Sequence, residues 1–354
     1  MSNIIALNAP PRRQRLCDRT YALVDCFARQ RRIPDDVFWL KENAELLNIL
    51  ECTGRSLSEA DLEPHRAFYD QLPERISFFP QYYRFLLSIG LDLEDLGVPG
   101  NQMERLCTWV GTQKLADAEL SDLQRAEARR LLARRGVGTG RVDAHLDDRL
   151  RAFISRPETF ALPNKKAAYE LTHIVFYLSE YGRRDPQLGS HALMSLEYAG
   201  ILAHLEQNMD LLAEICVAMR HAGRVPSPIW EDAVRANLSA FSIVEDDDMG
   251  LSDHYHEYLV STWAMLAAGG DDTGCAVPVG RSVFVRPDGA PAVLRAMSAA
   301  LMSFGQTRSA DWIQMEAGVL DILDADGART LQTTVASSAV FEQFFETFAR
   351  ATHL

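Results

Sequence analysis

The feature of this sequence that most constrains its fold is a series of seven glycines, each of which ends an apolar stretch with helical periodicity. The series comprises Gly54, Gly90, Gly136, Gly182, Gly223, Gly269 and Gly305, at intervals of 36, 46, 46, 41, 46 and 36 residues. Glycine adopts the left-handed conformation that ends many helices, because it has no Cβ atom to clash there. A helix end that recurs about every 40 residues is typical of a repeat of two helices.

The segments between these glycines predict an all-α protein of about six α-helical hairpins, in a single domain over residues 16–354. Residues 1–15 carry three arginines and no apolar segment of useful length, so we expect a flexible N-terminal arm. Hairpins of this kind either stack into an open solenoid or close into an α/α toroid, in which one helix of each pair lines an inner ring. The periodicity leaves both arrangements open.

Residues 277–289 depart from the helical pattern. Their sequence, VPVGRSVFVRPDG, alternates as strands do and ends in a Pro-Asp-Gly turn. Such alternation is typical of β-strands, and Pro-Asp-Gly favours a reversal of the chain. We therefore expect a short β-hairpin near 277–289, packed against the helices.

Charge and cysteine content exclude several classes of function. The 354-residue chain has a formal net charge of −13, which repels phosphate backbones and anionic lipids, so we expect binding neither to nucleic acids nor to membranes. Its six cysteines include no CxxC pair, and no apolar stretch reaches the length of about 18 residues that spans a membrane. These features predict a cytoplasmic protein, and they leave open a small molecule or a peptide as its partner and a homo-oligomer as its assembly.

Counting back from the glycines places polar residues at equivalent positions in successive repeats. His173 and Glu214 lie nine residues before the glycines that end their helices, and Asp210 and His256 lie thirteen residues before theirs. Four residues are about one helical turn, or about 6 Å of rise, so these side chains can lie at similar depths on neighbouring helices. Asp210 and Glu214 are also like charges at i, i+4, which repel each other unless another group compensates. Tyr177 follows His173 by one turn on the same polar stripe.

Two imidazoles and a carboxylate suit two kinds of site. His173 and His256 can act as general acid and base, with Asp210 or Glu214 as the carboxylate and Tyr177 as a nearby donor. Alternatively, His173, Asp210 and His256 are candidate ligands for a divalent metal ion. A third interpretation is structural, because buried histidines are commonly satisfied by a carboxylate of a neighbouring helix.

Two functions of different classes therefore remain open. The first is an enzyme with hydrolytic, cyclising or lyase-like chemistry on a small molecule or peptide, and it predicts that the histidines and carboxylates converge in one concave pocket. The second is a non-catalytic helical scaffold that binds a protein or peptide on its concave face. It predicts that the histidines are buried separately.

Three motifs resemble those of a family of uncharacterised bacterial helical proteins. YELTHIVFYLSEYG (169–182), NMDLLAEI (208–215) and YHEYLVSTWAML (255–266) resemble, in this order, its Leu-Thr-His, Asp-Leu-Leu-Ala-Glu and Tyr-His elements. The general shape is similar to α/α toroids such as terpenoid cyclases, prenyltransferase subunits and lanthionine-forming cyclases, some of which hold zinc at the mouth of the inner ring. The chain lacks the Asp-rich motif of the first and the paired cysteine ligands of the last. The resemblance therefore implies a fold and no particular activity.

Overall fold

The computed structural model describes residues 16–138, 143–246, 253–270, 275–287 and 289–351, and these are predominantly helical, as predicted. The predicted N-terminal arm, residues 1–15, lies outside them. None of the helices in the described ranges has the length and apolar content needed to cross a membrane. The helices are α1 (Leu16–Asp25), α2 (Val37–Cys52), α3 (Glu59–Leu62), α4 (Arg66–Phe78), α5 (Tyr83–Leu96), α6 (Gln102–Thr112), α7 (Asp122–Ala133), α8 (Leu146–Ile154), α9 (Pro157–Phe160), α10 (Lys165–Leu178), α11 (Ser190–Leu205), α12 (Met209–His221), α13 (Pro228–Ser239), α14 (Tyr255–Ala267), α15 (Leu294–Ser303), α16 (Trp312–Leu320), α17 (Ala325–Ser337) and α18 (Phe341–Phe348).

The described residues contain one small antiparallel sheet. Its strands are β1 (Ser242–Glu245) and β2 (Ser282–Val285), with Ile243 opposite Phe284. The prediction of a hairpin within 277–289 was therefore wrong in its pairing, because this segment supplies one strand and the other precedes α14. Alternation along β2 marks a strand but carries no information about its partner. Phe284 is fully buried, so β2 is held by packing on the helices and not by a local turn.

Six helices of the described chain follow one another in a closed series of contacts. In the order α2, α5, α7, α10, α12 and α14, each helix contacts the next, and α14 contacts α2. We call this set the helical ring. The intervening helices α4, α6, α8, α11 and α13 pack against members of the ring that adjoin them in sequence. The two-helix period of the sequence therefore corresponds to one ring helix and one or more helices outside it.

The predicted left-handed conformation occurs at all but one of the seven glycines, although after α10 it occurs first at Glu180, with a φ of 49°, before Gly182. Positive φ angles occur at Gly54, Gly136, Gly182, Gly223, Gly269 and Gly305, as expected for helix ends. Gly90 was predicted wrongly, because it lies inside α5, which ends at Gly97 with a φ of 117°. A Cβ atom at Gly90 would overlap the sulfur of Met103, so this glycine allows α5 and α6 to pack closely.

The substitution Gly223→Ala is expected to lower the free energy of unfolding by about 1–2 kcal/mol. Gly223 has a φ of 71°, and no atom lies within 4 Å of an added Cβ, so the cost comes from the backbone alone. Gly223→Asn should cost less, because asparagine tolerates the left-handed conformation better than alanine. Urea unfolding followed by circular dichroism measures both variants. An alanine variant as stable as the wild type would contradict the assignment.

The ring helix α12 is unusually buried. Every residue from Leu211 to Met219 is buried, and Glu214 is the charged residue in that stretch. A buried carboxylate costs several kcal/mol unless it is paired and hydrogen-bonded. Glu214 therefore requires partners inside the protein, and these partners define the candidate site.

Candidate active site

A cavity of about 280 Å³ lies inside the helical ring and is lined by residues of all six ring helices. The six ring helices share one position that lines the cavity. In each case the residue nine positions before the left-handed glycine that follows the helix lines the cavity: Glu45, Ser88, Glu127, His173, Glu214 and Val260. The spacing that predicted His173 and Glu214 thus extends to Glu45, Ser88 and Glu127, which the sequence analysis missed. Ser88 follows this spacing only from Gly97, the glycine that ends α5.

His256, at the start of α14, is surrounded by three carboxylates. Its Nδ1 lies 3.1 Å from Oε2 of Glu45, and its Nε2 lies 3.2 Å from Oδ1 of Asp210 and 3.6 Å from Oε1 of Glu214. Burial by itself lowers the pKa of His256. The hydrogen bonds and charges of these carboxylates outweigh burial and raise the pKa to about 11. In the absence of a bound ion, His256 is therefore an imidazolium at neutral pH.

Glu214 is the most deeply buried carboxylate of this group. Its side chain is 3% exposed, and its Oε2 accepts a hydrogen bond of 2.6 Å from the hydroxyl of Thr172. Burial raises the pKa of Glu214, but the neighbouring His173 and His256 and the bond from Thr172 outweigh it, so the pKa lies below its usual value. Glu214 is therefore a carboxylate at neutral pH.

Asp210, one turn earlier on α12, has a different environment on each oxygen. Its Oδ2 accepts a hydrogen bond of 2.7 Å from the hydroxyl of Tyr169. Its Oδ1 is buried and faces Nε2 of His256 without forming a well-aligned hydrogen bond. Burial raises the pKa of Asp210 above its usual value, and the charge of His256 opposes this rise.

His173 lies beside these residues on α10. Its Nδ1 lies 2.8 Å from the backbone carbonyl oxygen of Tyr169, one helical turn earlier. A carbonyl oxygen only accepts hydrogen bonds, so Nδ1 carries the proton of the neutral ring and Nε2 is its basic atom. The side chain is 37% exposed at the cavity, and its Nδ1 lies 3.8 Å from Oε2 of Glu214. His173 can therefore accept a proton, and Glu214 stabilises the charge that results.

Tyr177 lines the same cavity but does not join these residues. Its ring meets that of His173 edge-on, with the centroids 6.1 Å apart, and it also packs against the guanidinium of Arg130. No hydrogen bond joins its hydroxyl to His173 or to the described carboxylates of the site. Burial raises the pKa of Tyr177 well above its usual value. Its position is that of a wall residue, one turn from the polar cluster.

The structure brings together a ligand set that differs from the predicted one. Asp210, Glu214 and His256 each offer one donor atom within 4.8 Å of the other two, and among the described residues they form the His, Cys, Asp and Glu group close enough to share an ion. We call these three residues the acidic cluster. The predicted ligands Asp210 and His256 belong to this group, and the third predicted ligand, His173, lies beside it on α10. Both carboxylates of α12 face one imidazole, whereas Nδ1 of His173 is held by the Tyr169 carbonyl.

One wall of the cavity is aromatic and adjoins His173, whose ring lies 5.7 Å from that of Phe176. The ring of Trp263 lies 4.8 Å from that of Phe176 and stacks on that of Tyr181 at 5.9 Å between centroids. Phe176 and Trp263 are buried, whereas the side chains of His173 and His256 are about one third exposed. The cavity thus has a polar end that solvent reaches, beside a buried aromatic wall.

A larger groove of about 700 Å³ lies elsewhere, between α1 and residues 278–280. It is lined by three aspartates, Asp18, Asp25 and Asp61, but by no histidine and by none of the predicted site residues. Exposed acidic side chains are ordinary on a protein of negative net charge. The cavity of the helical ring is therefore the better candidate for chemistry, although it is smaller.

The helical ring and its cavity define the class of protein as an all-α protein with a polar internal site. The chain matches the family described as "Domain of unknown function (DUF6902)" over residues 1–351, and it belongs to that family. No curated protein and no solved structure matches it. The match agrees with the expectation of a family of uncharacterised helical proteins.

Proposed function

We propose that the helical ring is the inner ring of an α/α toroid and that the protein is an enzyme with its active site in the central cavity. The observation that supports this proposal is the convergence of His173, the acidic cluster and Glu45 from four helices on one cavity. A scaffold without catalysis does not require this convergence, and the polar residues would then be buried separately. The enzyme is therefore the better supported of the two functions.

The chemistry that these residues support is proton transfer, as in hydrolytic or lyase-like reactions. Nε2 of His173 accepts a proton from a water molecule or from the substrate, and the nearby Glu214 stabilises the imidazolium that forms. The acidic cluster binds the polar group of the substrate at the exposed end of the cavity. General acid–base catalysis of this kind contributes about 10²–10⁴-fold to a rate.

The dimensions of the cavity favour a small amphipathic substrate. A volume of about 280 Å³ is at the lower end of the range for small-molecule sites, so a metabolite fits better than a peptide. Its polar group faces the acidic cluster, and a flat or apolar body packs against Phe176 and Trp263. The amide of Asn48 lines the same cavity and offers both a donor and an acceptor for orientation.

We also propose that this enzyme works in the cytoplasm and binds neither nucleic acids nor anionic membranes. Support comes from the net charge of −13 and from the described cysteines, all of which are free thiols. Retention on heparin or on anionic vesicles at physiological salt would contradict this part of the proposal.

The test of catalysis is turnover of a metabolite extract followed by mass spectrometry. Wild-type protein should consume at least one small molecule, and His173→Gln should consume it about 10²–10⁴-fold more slowly. His145→Gln is the matched control, because the side chain of His145 is 83% exposed and lies outside the cavity. Circular dichroism shows whether each variant is folded.

Two outcomes would contradict the proposal that the protein is an enzyme. One is equal turnover by the wild type and by His173→Gln, which would place the chemistry elsewhere. The other is an extract that the wild type leaves unchanged and that does not raise its melting temperature, which would favour the scaffold.

A further inference from the structure

We propose that the acidic cluster, Asp210, Glu214 and His256, binds one divalent transition-metal ion, and this inference rests on the proposed function of the cavity as an active site. The cluster supplies one imidazole nitrogen and two carboxylate oxygens from two adjacent ring helices. Three protein ligands with the remaining position open to a cavity are the usual arrangement of a catalytic metal site.

The distances within the cluster suit a shared ion better than direct hydrogen bonds. Nε2 of His256 lies 3.2 Å from Oδ1 of Asp210 and 3.6 Å from Oε1 of Glu214. Charge-assisted hydrogen bonds between such groups are usually about 2.7–2.9 Å long. Ligand atoms that each lie about 2.0–2.2 Å from a tetrahedral ion are separated from one another by roughly 3.3–3.6 Å.

Each of the three ligands is oriented by a partner on its other polar atom. Nδ1 of His256 contacts Glu45 at 3.1 Å, the second oxygen of Asp210 accepts from Tyr169 at 2.7 Å, and the second oxygen of Glu214 accepts from Thr172 at 2.6 Å. Metal-binding histidines commonly donate their other ring nitrogen to a carboxylate, and ligating carboxylates are likewise hydrogen-bonded. This arrangement leaves one atom of each ligand directed at a common point.

Charge and hydrogen bonding also favour an ion. Glu45 and the two carboxylates of the cluster place three negative charges around one imidazole, so the group carries excess negative charge even when His256 is protonated. Oδ1 of Asp210 is buried and lacks a hydrogen-bond partner. A metal ion would bind that oxygen, replace the proton on Nε2 of His256 and supply the missing positive charge.

The ligand types indicate which ions to test. Imidazole suits zinc and iron, carboxylates suit manganese and magnesium, and the mixed set therefore favours zinc or manganese. A water molecule in the open position would become more acidic, with a pKa of about 7 on zinc. His173 is outside the cluster and remains free to accept its proton.

The first experiment measures the metal content of protein purified without chelator and dialysed separately against zinc and manganese. Wild type should retain about one equivalent of at least one of these ions, and Asp210→Asn less than about a tenth of an equivalent. Glu197→Gln is the matched control, because Glu197 is a carboxylate bonded to Ser338, outside the ring cavity. It should retain the wild-type content.

The second experiment leaves the ligands intact and alters their orientation. Glu45→Gln keeps the three ligands but weakens the contact with Nδ1 of His256, so zinc titrated into the metal-free protein should bind about 10–100-fold more weakly. Circular dichroism before titration checks that the variant is folded. Equal zinc affinity in the wild type and Glu45→Gln would overturn the assigned role of Glu45.

Wild-type protein that retains less than about a tenth of an equivalent of both ions after dialysis would overturn the metal site. That result would leave the enzyme proposal intact, because turnover of the metabolite extract and its loss in His173→Gln are measured independently. Conversely, one equivalent of metal without turnover would support the site and contradict the enzyme.

Discussion

Replacing Arg31 by methionine is expected to lower the free energy of unfolding by about 3–5 kcal/mol. The Arg31 side chain is fully buried, and its guanidinium lies 2.9 Å from the carboxylate of Glu42 and 2.8 Å from that of Asp253. It also donates a hydrogen bond of 2.6 Å to the carbonyl oxygen of Ser282 in β2. Methionine fills much of the volume but leaves the carboxylate of Asp253, which is 1% exposed, without its counter-charge. The large effect therefore comes from an unpaired buried charge.

Arg149→Met is the matched control for this substitution. Arg149 also bonds to two carboxylates, those of Asp122 and Asp143, but its side chain is 41% exposed. Exposed pairs contribute about 0–1 kcal/mol because water screens the charges. Urea unfolding of both variants compares the two environments directly. Similar losses of stability in the two variants would contradict the view that burial determines the effect.

In buffer with a chelator, His256→Gln should lower the free energy of unfolding by about 3–5 kcal/mol at pH 6, because three carboxylates then face one another without the imidazolium. The folded-state pKa of His256 is raised to about 11, above the value of about 6.5 expected in the unfolded chain. A raised pKa stabilises the folded state fully below the unfolded value, and this contribution is lost as the pH rises towards the folded value. The difference between wild type and variant should therefore shrink by about 1.4 kcal/mol per pH unit above about pH 7.

Urea unfolding of wild type and His256→Gln at pH 6, 7 and 8 measures this slope. The chelator ensures that no bound ion replaces the imidazolium charge. His145→Gln, which removes an exposed histidine, should show no such slope relative to the wild type. A difference between wild type and His256→Gln that stays constant from pH 7 to pH 8 would contradict the charge assigned to His256.

The all-α fold was predictable because the same backbone requirement recurs at each repeat. A left-handed residue follows each ring helix, and glycine is the first such residue at Gly54, Gly97, Gly136, Gly223 and Gly269, whereas Glu180 is the first after α10. The prediction for Gly90 was wrong for a physical reason. Glycine is used both where a helix ends and where two helices pack closely, and the sequence alone does not distinguish the two uses. The pairing of β2 with β1 could not be predicted from the sequence either, because alternation indicates a strand but not the strand that it pairs with.

The sequence predicted those site residues that lie at a regular distance from a glycine of the repeat. Distance from the glycine after each helix identified three polar residues that line the cavity, His173, Glu214 and His256, and also Asp210, which contacts His256. Glu45 satisfies the same spacing from Gly54, but its relevance depends on contact between the first and last ring helices, which the sequence does not reveal. Tyr169 and Thr172 were missed as partners because the direction of a hydroxyl group depends on packing between neighbouring helices.

The contact between α2 and α14 has a consequence for how the protein is made. Glu45 and His256 meet across 211 positions of sequence, so the cavity is complete only after the last ring helix has been synthesised and has docked on the first. Until then, a growing chain exposes the apolar inner faces of the earlier helices, as folding intermediates of large proteins do. A chain interrupted before α14 lacks His256, so its site is incomplete even if the first five ring helices are folded. A complete candidate site thus reports that synthesis has passed α14, which ends at Ala267.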